Sequence, residues 1–185
     1  SVDTWGRQAE FIRHGLDLEL FKRNLDVHFE INKDVPVTIM CAFNIMSIFN
    51  FHELIDFVAD QRSQGRPLIL DISYVHNPTF LDCRLLPDHW KKKAEFLLKQ
   101  MESKNFFRYE IIKMSRLVEF INSTLPMKDL QHRRREFITF MDEHDRRRKT
   151  DFHAVFPEFS EDYKAWARIK PTRNLKYYFY KLLLG

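Results

Sequence analysis

The chain has 185 residues, 44% of them apolar and 30% charged, so it can build a packed core and is not generally disordered. Phe is abundant at 18 and Gly scarce at 4, which argues against a β-sandwich with many tight turns and against a glycine-rich phosphate loop. Net charge is +4 and unevenly placed: residues 129–185 hold 13 Lys+Arg and 9 Asp+Glu, leaving 17 of each in residues 1–128.

In chain order, Ser1-Val2-Asp3 reads as the end of a strand running into a turn at Gly6, as if the segment before it were missing. Residues 18–31 place Leu18, Phe21, Leu25 and Phe29 at helical spacing, with Asp17 as N-cap. Residues 35–43, "VPVTIMCAF", form a short β-branched and apolar run, expected to be a strand covered on both faces. Asn50 and Glu53 look like a capping box opening a helix whose stripe is Leu54, Phe57 and Val58 and whose stop is Gly65. "RPLILDISYV" at 66–75 is the next strand, ending in the turn "HNP". Parallel strands need long crossovers, and a helix supplies one. The fold expected for residues 1–87 is therefore α/β, a partial (β/α) barrel, with further strands supplied from elsewhere.

After Pro87 the pattern turns helical, giving an expected C-terminal extension over 88–185. One helix begins at Asp88, with Trp90, Ala94, Leu97 and Met101 on one face; a second covers 107–123; a third, long and charged, covers 128–156. The tail "NLKYYFYKLLLG" is apolar and aromatic.

Ligands of parallel α/β sheets gather at the C-terminal strand ends. That rule selects Ser1 and Asp3, then Phe43 and Asn44, then Ser73, Tyr74, Val75, His76 and Asn77. Short hydroxyl, carboxylate and amide groups suit a ribose and an amino-acid head group, and Tyr74 or Val75 would support a flat base. The competing reading makes these residues strand-end caps and turn formers. Arg13 either clamps a ligand carboxylate, or is solvated or paired locally with Glu10.

"SVDTWGRQAEFIRHGLDLELFKRNL", "VTIMCAFNIMSIFNFHELIDF" and "PLILDISYVHNP" together resemble a stretch of radical S-adenosylmethionine proteins with a SPASM or twitch extension, over roughly residues 1–87. The resemblance implies that Ser1 bonds the cofactor ribose, Arg13 meets its carboxylate, Asp3 faces cofactor or substrate, Asn44 lies at the rim, and Val75 or Tyr74 packs on adenine. It also implies a 4Fe–4S cluster, a peptide or small-molecule substrate, and a missing N-terminal half of the barrel that carries a Cys-x3-Cys-x2-Cys loop. This chain has only Cys41 and Cys83, too few for that cluster. On this reading it is a fragment inactive alone.

Two widely spaced thiols suit a reduced, cytoplasmic protein. No run reaches the ~18 apolar residues of a membrane span. The eight His residues form no His-x3-His or His-Glu-x2-His pair, so no metal site is expected. "HRRREFITFMDEHDRRRK" (132–149) clusters arginines around Phe137, Phe140 and Met141, but Glu136, Asp142, Glu143 and Asp145 interleave with them. Pairs such as Arg135–Asp142 and Asp142–Arg146 would make it a solvated face, with nucleic-acid binding not expected. Two other functions stay open: a non-catalytic α/β ligand-binding protein, and an RNA- or partner-binding module built on 132–149.

Overall fold

A computed structural model describes residues 1–169. The described chain forms two compact units, Ser1–Ser123 and a second beginning at Thr124.

The first unit contains α1 (Gly6–Ile12), α2 (Leu18–Ile31), β1 (Val37–Phe43), α3 (Phe51–Ser63), β2 (Leu68–Tyr74), α4 (Asp88–Glu102) and α5 (Arg108–Asn122). Asp17 caps α2 as expected, its carboxylate accepting the Leu20 amide at 2.8 Å. Asn50 does not cap α3 with its side chain; it donates instead to the Trp5 carbonyl at 3.3 Å. Gly6 has φ +63°, and a Cβ there would sit 3.2 Å from the Asn50 amide nitrogen. The position needs glycine both for its conformation and for that close approach. Trp5, just before it, stacks on Phe57 of α3 at 4.3 Å.

β1 and β2 are parallel neighbours in direct register from Val37↔Leu68 to Phe43↔Tyr74, and α3 is the crossover between them. This local βαβ unit agrees with the expected pairing. The partial (β/α) barrel does not form. Among the described residues the protein is mainly helical, and its one sheet has two strands. The reason lies in Ser1-Val2-Asp3. The Val2 amide donates to the Met40 carbonyl at 3.0 Å, but the next outward amide of β1, Ala42, is taken by the Asp3 side chain at 2.7 Å. A side chain in place of a carbonyl ends the ladder, so this segment lies beside β1 without becoming a third strand.

Among the described residues the strands are also buried on one face only. Ile39, Cys41, Phe43, Leu68, Leu70 and Ile72 are buried on one face, while Thr38, Met40 and Ser73 are exposed on the other. α3 and α5 pack against β2, and α4 packs against both helices. β2's outer margin meets α5 through Glu110, which is fully buried. Its Oε1 accepts the Leu70 amide at 2.7 Å and Arg62 Nη2 at 2.6 Å, and its Oε2 accepts the Phe107 amide at 2.7 Å. Arg62 also donates to the carbonyls of Leu68 at 2.6 Å and Asn105 at 2.9 Å, and its guanidinium lies against the rings of Phe106 and Phe107. Every polar atom of this buried pair thus has a geometric purpose, the condition under which burying two charges is tolerable.

The second unit contains α6 (Met127–Arg148), α7 (Phe152–Val155) and α8 (Ser160–Ala167). The single helix expected over 128–156 is broken. Lys149 adopts a left-handed conformation at φ 55°, the Thr150 hydroxyl donates to Asp145 at 2.6 Å, and Asp151 starts α7 by accepting the Ala154 amide at 3.0 Å. Thr and Asp side chains here out-compete helix continuation for backbone and local partners. Phe137, Phe152, Phe156, Phe159, Tyr163 and Trp166 form the aromatic core of this unit. The tail segment 174–185 lies outside the described residues.

Candidate functional site

The C-terminal ends of β1 and β2 form a polar rim. On its β1 side, Asp3 is buried and receives two hydrogen bonds and one further ion-pair contact. Oδ1 accepts the Ala42 amide at 2.7 Å and Arg13 Nη2 at 3.1 Å, and Arg13 Nε lies 2.9 Å from Oδ2. The chain reaches this arrangement because α1, seven residues long, starts just after Asp3 and delivers Arg13 at its C-cap, back over the strand end. Arg13 therefore pairs with Asp3, not with Glu10, whose carboxylate accepts the Leu18 amide at 3.1 Å. The Arg13 side chain remains 37% exposed, against 6% for Asp3. Ser1 is exposed.

Asn44 is buried and spent on a turn. Its side chain accepts the Met46 amide at 2.9 Å and donates to the Ala42 carbonyl at 3.3 Å, while its own amide donates to Ser47 Oγ at 3.0 Å. At this position the turn-former reading describes the geometry, because no polar atom is left pointing outward. The neighbouring Thr4 hydroxyl ties the N-terminal segment to the Ser47 carbonyl at 3.0 Å.

On the β2 side, the Val75 amide extends the ladder to the Phe43 carbonyl at 2.9 Å, and the Ser73 hydroxyl donates to the Cys41 carbonyl at 3.0 Å. Tyr74 is half-buried, its ring stacked on Phe120 of α5 at 4.2 Å, with the His76 imidazole edge-on to both rings. The Arg84 guanidinium covers Phe120 at 4.4 Å and is gripped through Nε and Nη2 by the buried Asp82. That grip raises the Arg84 pKa further. Phe120 and the Asp82–Arg84 pair were not among the sequence candidates. The spacing Asp82-x-Arg84 was their one signal, because Phe120 lies on a helix far along the chain.

Both thiols are free and buried. Burial pushes Cys41 well above the ordinary thiol range, with Asp3 adding to the effect, and burial likewise pushes Cys83 up, with Asp82 adding to it. Among the described residues no three His, Cys, Asp or Glu side chains are grouped to hold a metal ion. No helix among them is long and apolar enough to cross a membrane.

The rim thus brings Asp3 and Arg13 together at the β1 end and Tyr74 and Val75 to the end of β2, while Ser1 is exposed one residue before the Val2–Met40 bond. Comparison with known proteins adds no family: no family model, curated protein or solved structure matches this chain.

Proposed function

We propose that this rim is part of an S-adenosylmethionine site in a radical S-adenosylmethionine enzyme of the SPASM or twitch type, and that the 4Fe–4S cluster comes from outside these 185 residues. When bound together, that cofactor and cluster supply an adenosyl radical that abstracts a hydrogen atom from a peptide or small-molecule substrate. The residues here would bind and orient. The carrying observation is Arg13, a partly exposed guanidinium fixed at the end of β1 by a buried carboxylate. A fixed guanidinium suits a carboxylate. Ser1, which is exposed, would offer a hydroxyl to a ribose. Tyr74 and Val75, one strand over, offer an aromatic edge and an aliphatic surface to a base. Asn44 has no free polar atom for the cofactor and shapes the β1 end instead. Asp3 likewise acts through Arg13.

Two measurements test this reading. A photoreactive azido-adenine derivative of S-adenosylmethionine is expected to crosslink near Tyr74–Val75, and excess S-adenosylhomocysteine to suppress the crosslink. Labelling elsewhere, or labelling indifferent to competitor, overturns the reading. Anaerobic iron–sulfur reconstitution of the chain alone is expected to give no stoichiometric 4Fe–4S absorbance and no cofactor cleavage, because two buried thiols cannot hold the cluster. A full cluster on the isolated chain would sink the claim that it comes from elsewhere.

A further inference from the structure

We infer that Asp3 is a positioning residue: it uses the inner edge of the Arg13 guanidinium so that only the outer edge is presented to a ligand carboxylate. This rests on the proposed site in one respect, the identity of the ligand. The geometry is independent of it. An Arg side chain carries five N–H donors in a planar fork. Here Nη2 donates to Asp3 Oδ1 at 3.1 Å and Nε lies 2.9 Å from Oδ2 as an ion-pair contact, so one edge of the fork is turned to Asp3. The Asp3 carboxylate cannot swing away with its partner, because Oδ1 is also held by the Ala42 amide of β1 at 2.7 Å and the residue is 4% exposed. The guanidinium is thereby referenced to the strand backbone through a single carboxylate. Nε is buried while the Arg13 side chain as a whole stays 37% exposed. A lysine at this position could not serve both sides, since a point charge has no second edge.

A structural role and a positioning role separate in Asp3→Asn. The amide oxygen can still accept from Ala42, so the tether to β1 survives, while the charge that orients Arg13 is lost. The probes are S-adenosylhomocysteine, methionine, and methioninol, which lacks the carboxylate. Binding is followed by NMR shifts of the Ala42 amide and the Arg13 side-chain N–H groups. For the native chain, methionine and S-adenosylhomocysteine are expected to shift both signals and methioninol neither. Asp3→Asn is expected to weaken both carboxylate probes about tenfold, with a thermal midpoint close to native, and Arg13→Lys to weaken them as much. Fast guanidinium rotation in Asp3→Asn, against hindered rotation in the native chain, is the spectroscopic signature expected.

The outcomes distinguish the two claims. If methionine binds and is sensitive to Asp3→Asn but S-adenosylhomocysteine binds no better, the carboxylate clamp stands and the cofactor assignment falls. If S-adenosylhomocysteine binds tightly and Asp3→Asn leaves its affinity unchanged, the cofactor assignment stands and Asp3 is only a tether. If neither probe binds the native chain, both claims fall.

Discussion

Glu110 shows what a single side chain can organise. Its carboxylate receives one strand amide, one helix-start amide and one guanidinium, all within the first unit. Removing one partner of a buried pair strands the other charge, which costs about 3–5 kcal/mol. Glu110→Ala is therefore expected to lower the stability of Ser1–Ser123 by that amount in urea denaturation followed by tryptophan fluorescence. The double variant Arg62→Met with Glu110→Leu should lose less than Glu110→Ala alone. A loss below about 1 kcal/mol in Glu110→Ala would mean that the network contributes little. Tyr163 in the second unit gives a pH-dependent counterpart. Its hydroxyl donates to Asp142 at 2.6 Å, and burial first, then Asp142, push its phenol upward. A folded-state pKa raised above the unfolded value means stabilisation that is complete below the ordinary tyrosine value of 10.0 and is lost as pH climbs through the folded value. Stability of this unit should fall above that pH, and Tyr163→Phe should remove that part of the dependence while costing about 1 kcal/mol at neutral pH. Phenolate absorbance appearing at the ordinary pH in the folded chain would contradict this.

At the scale of elements, α6 illustrates which charge patterns a sequence reveals. The interleaving of acids and arginines was plain, and it is what keeps the helix from being a bare cationic strip. The pairs differ from those expected. Asp142 turns toward Tyr163, Arg135 donates to the Ala167 carbonyl at 2.9 Å, and Glu143 takes both Arg146 and Arg147. Arg146 and then Arg147 hold the Glu143 carboxyl down at about 2, so it stays ionised through any physiological range. A generic single-stranded RNA is accordingly expected to bind weakly at physiological salt, with a shallow slope of log affinity against log salt. A steep slope would show that several phosphates are neutralised and that this face is a nucleic-acid surface. The helix break at Lys149–Asp151 was less legible, because Asp151 reads equally well as a solvated helix residue or as a cap. Only its bond to the Ala154 amide decides between them.

For the molecule as a whole, the strand–helix–strand cadence of 35–75 could be read directly, since apolar β-branched runs and the Gly65 stop are local signals. The barrel could not be. Ser1-Val2-Asp3 has a strand's composition, yet Asp3 places its carboxylate where a ladder carbonyl would stand, and side-chain competition of that kind has no sequence period. The site was legible in part for the same reason. Asp3 and Arg13 are brought together by a short helix, a near-neighbour relation that spacing hints at. The stacking of Tyr74 on Phe120 joins positions 46 residues apart, which no local pattern records.

The two margins of the small sheet are unequal. β2's is closed by α5 and the Glu110 carboxylate, whereas β1's is met within the first unit by the Val2 amide and the Asp3 carboxylate. In the vocabulary of polymer chemistry, Asp3 and Glu110 are terminators, one at each margin of the two-strand sheet. On either side a carboxylate stands where the next strand's carbonyl would be, so the sheet stops at two strands.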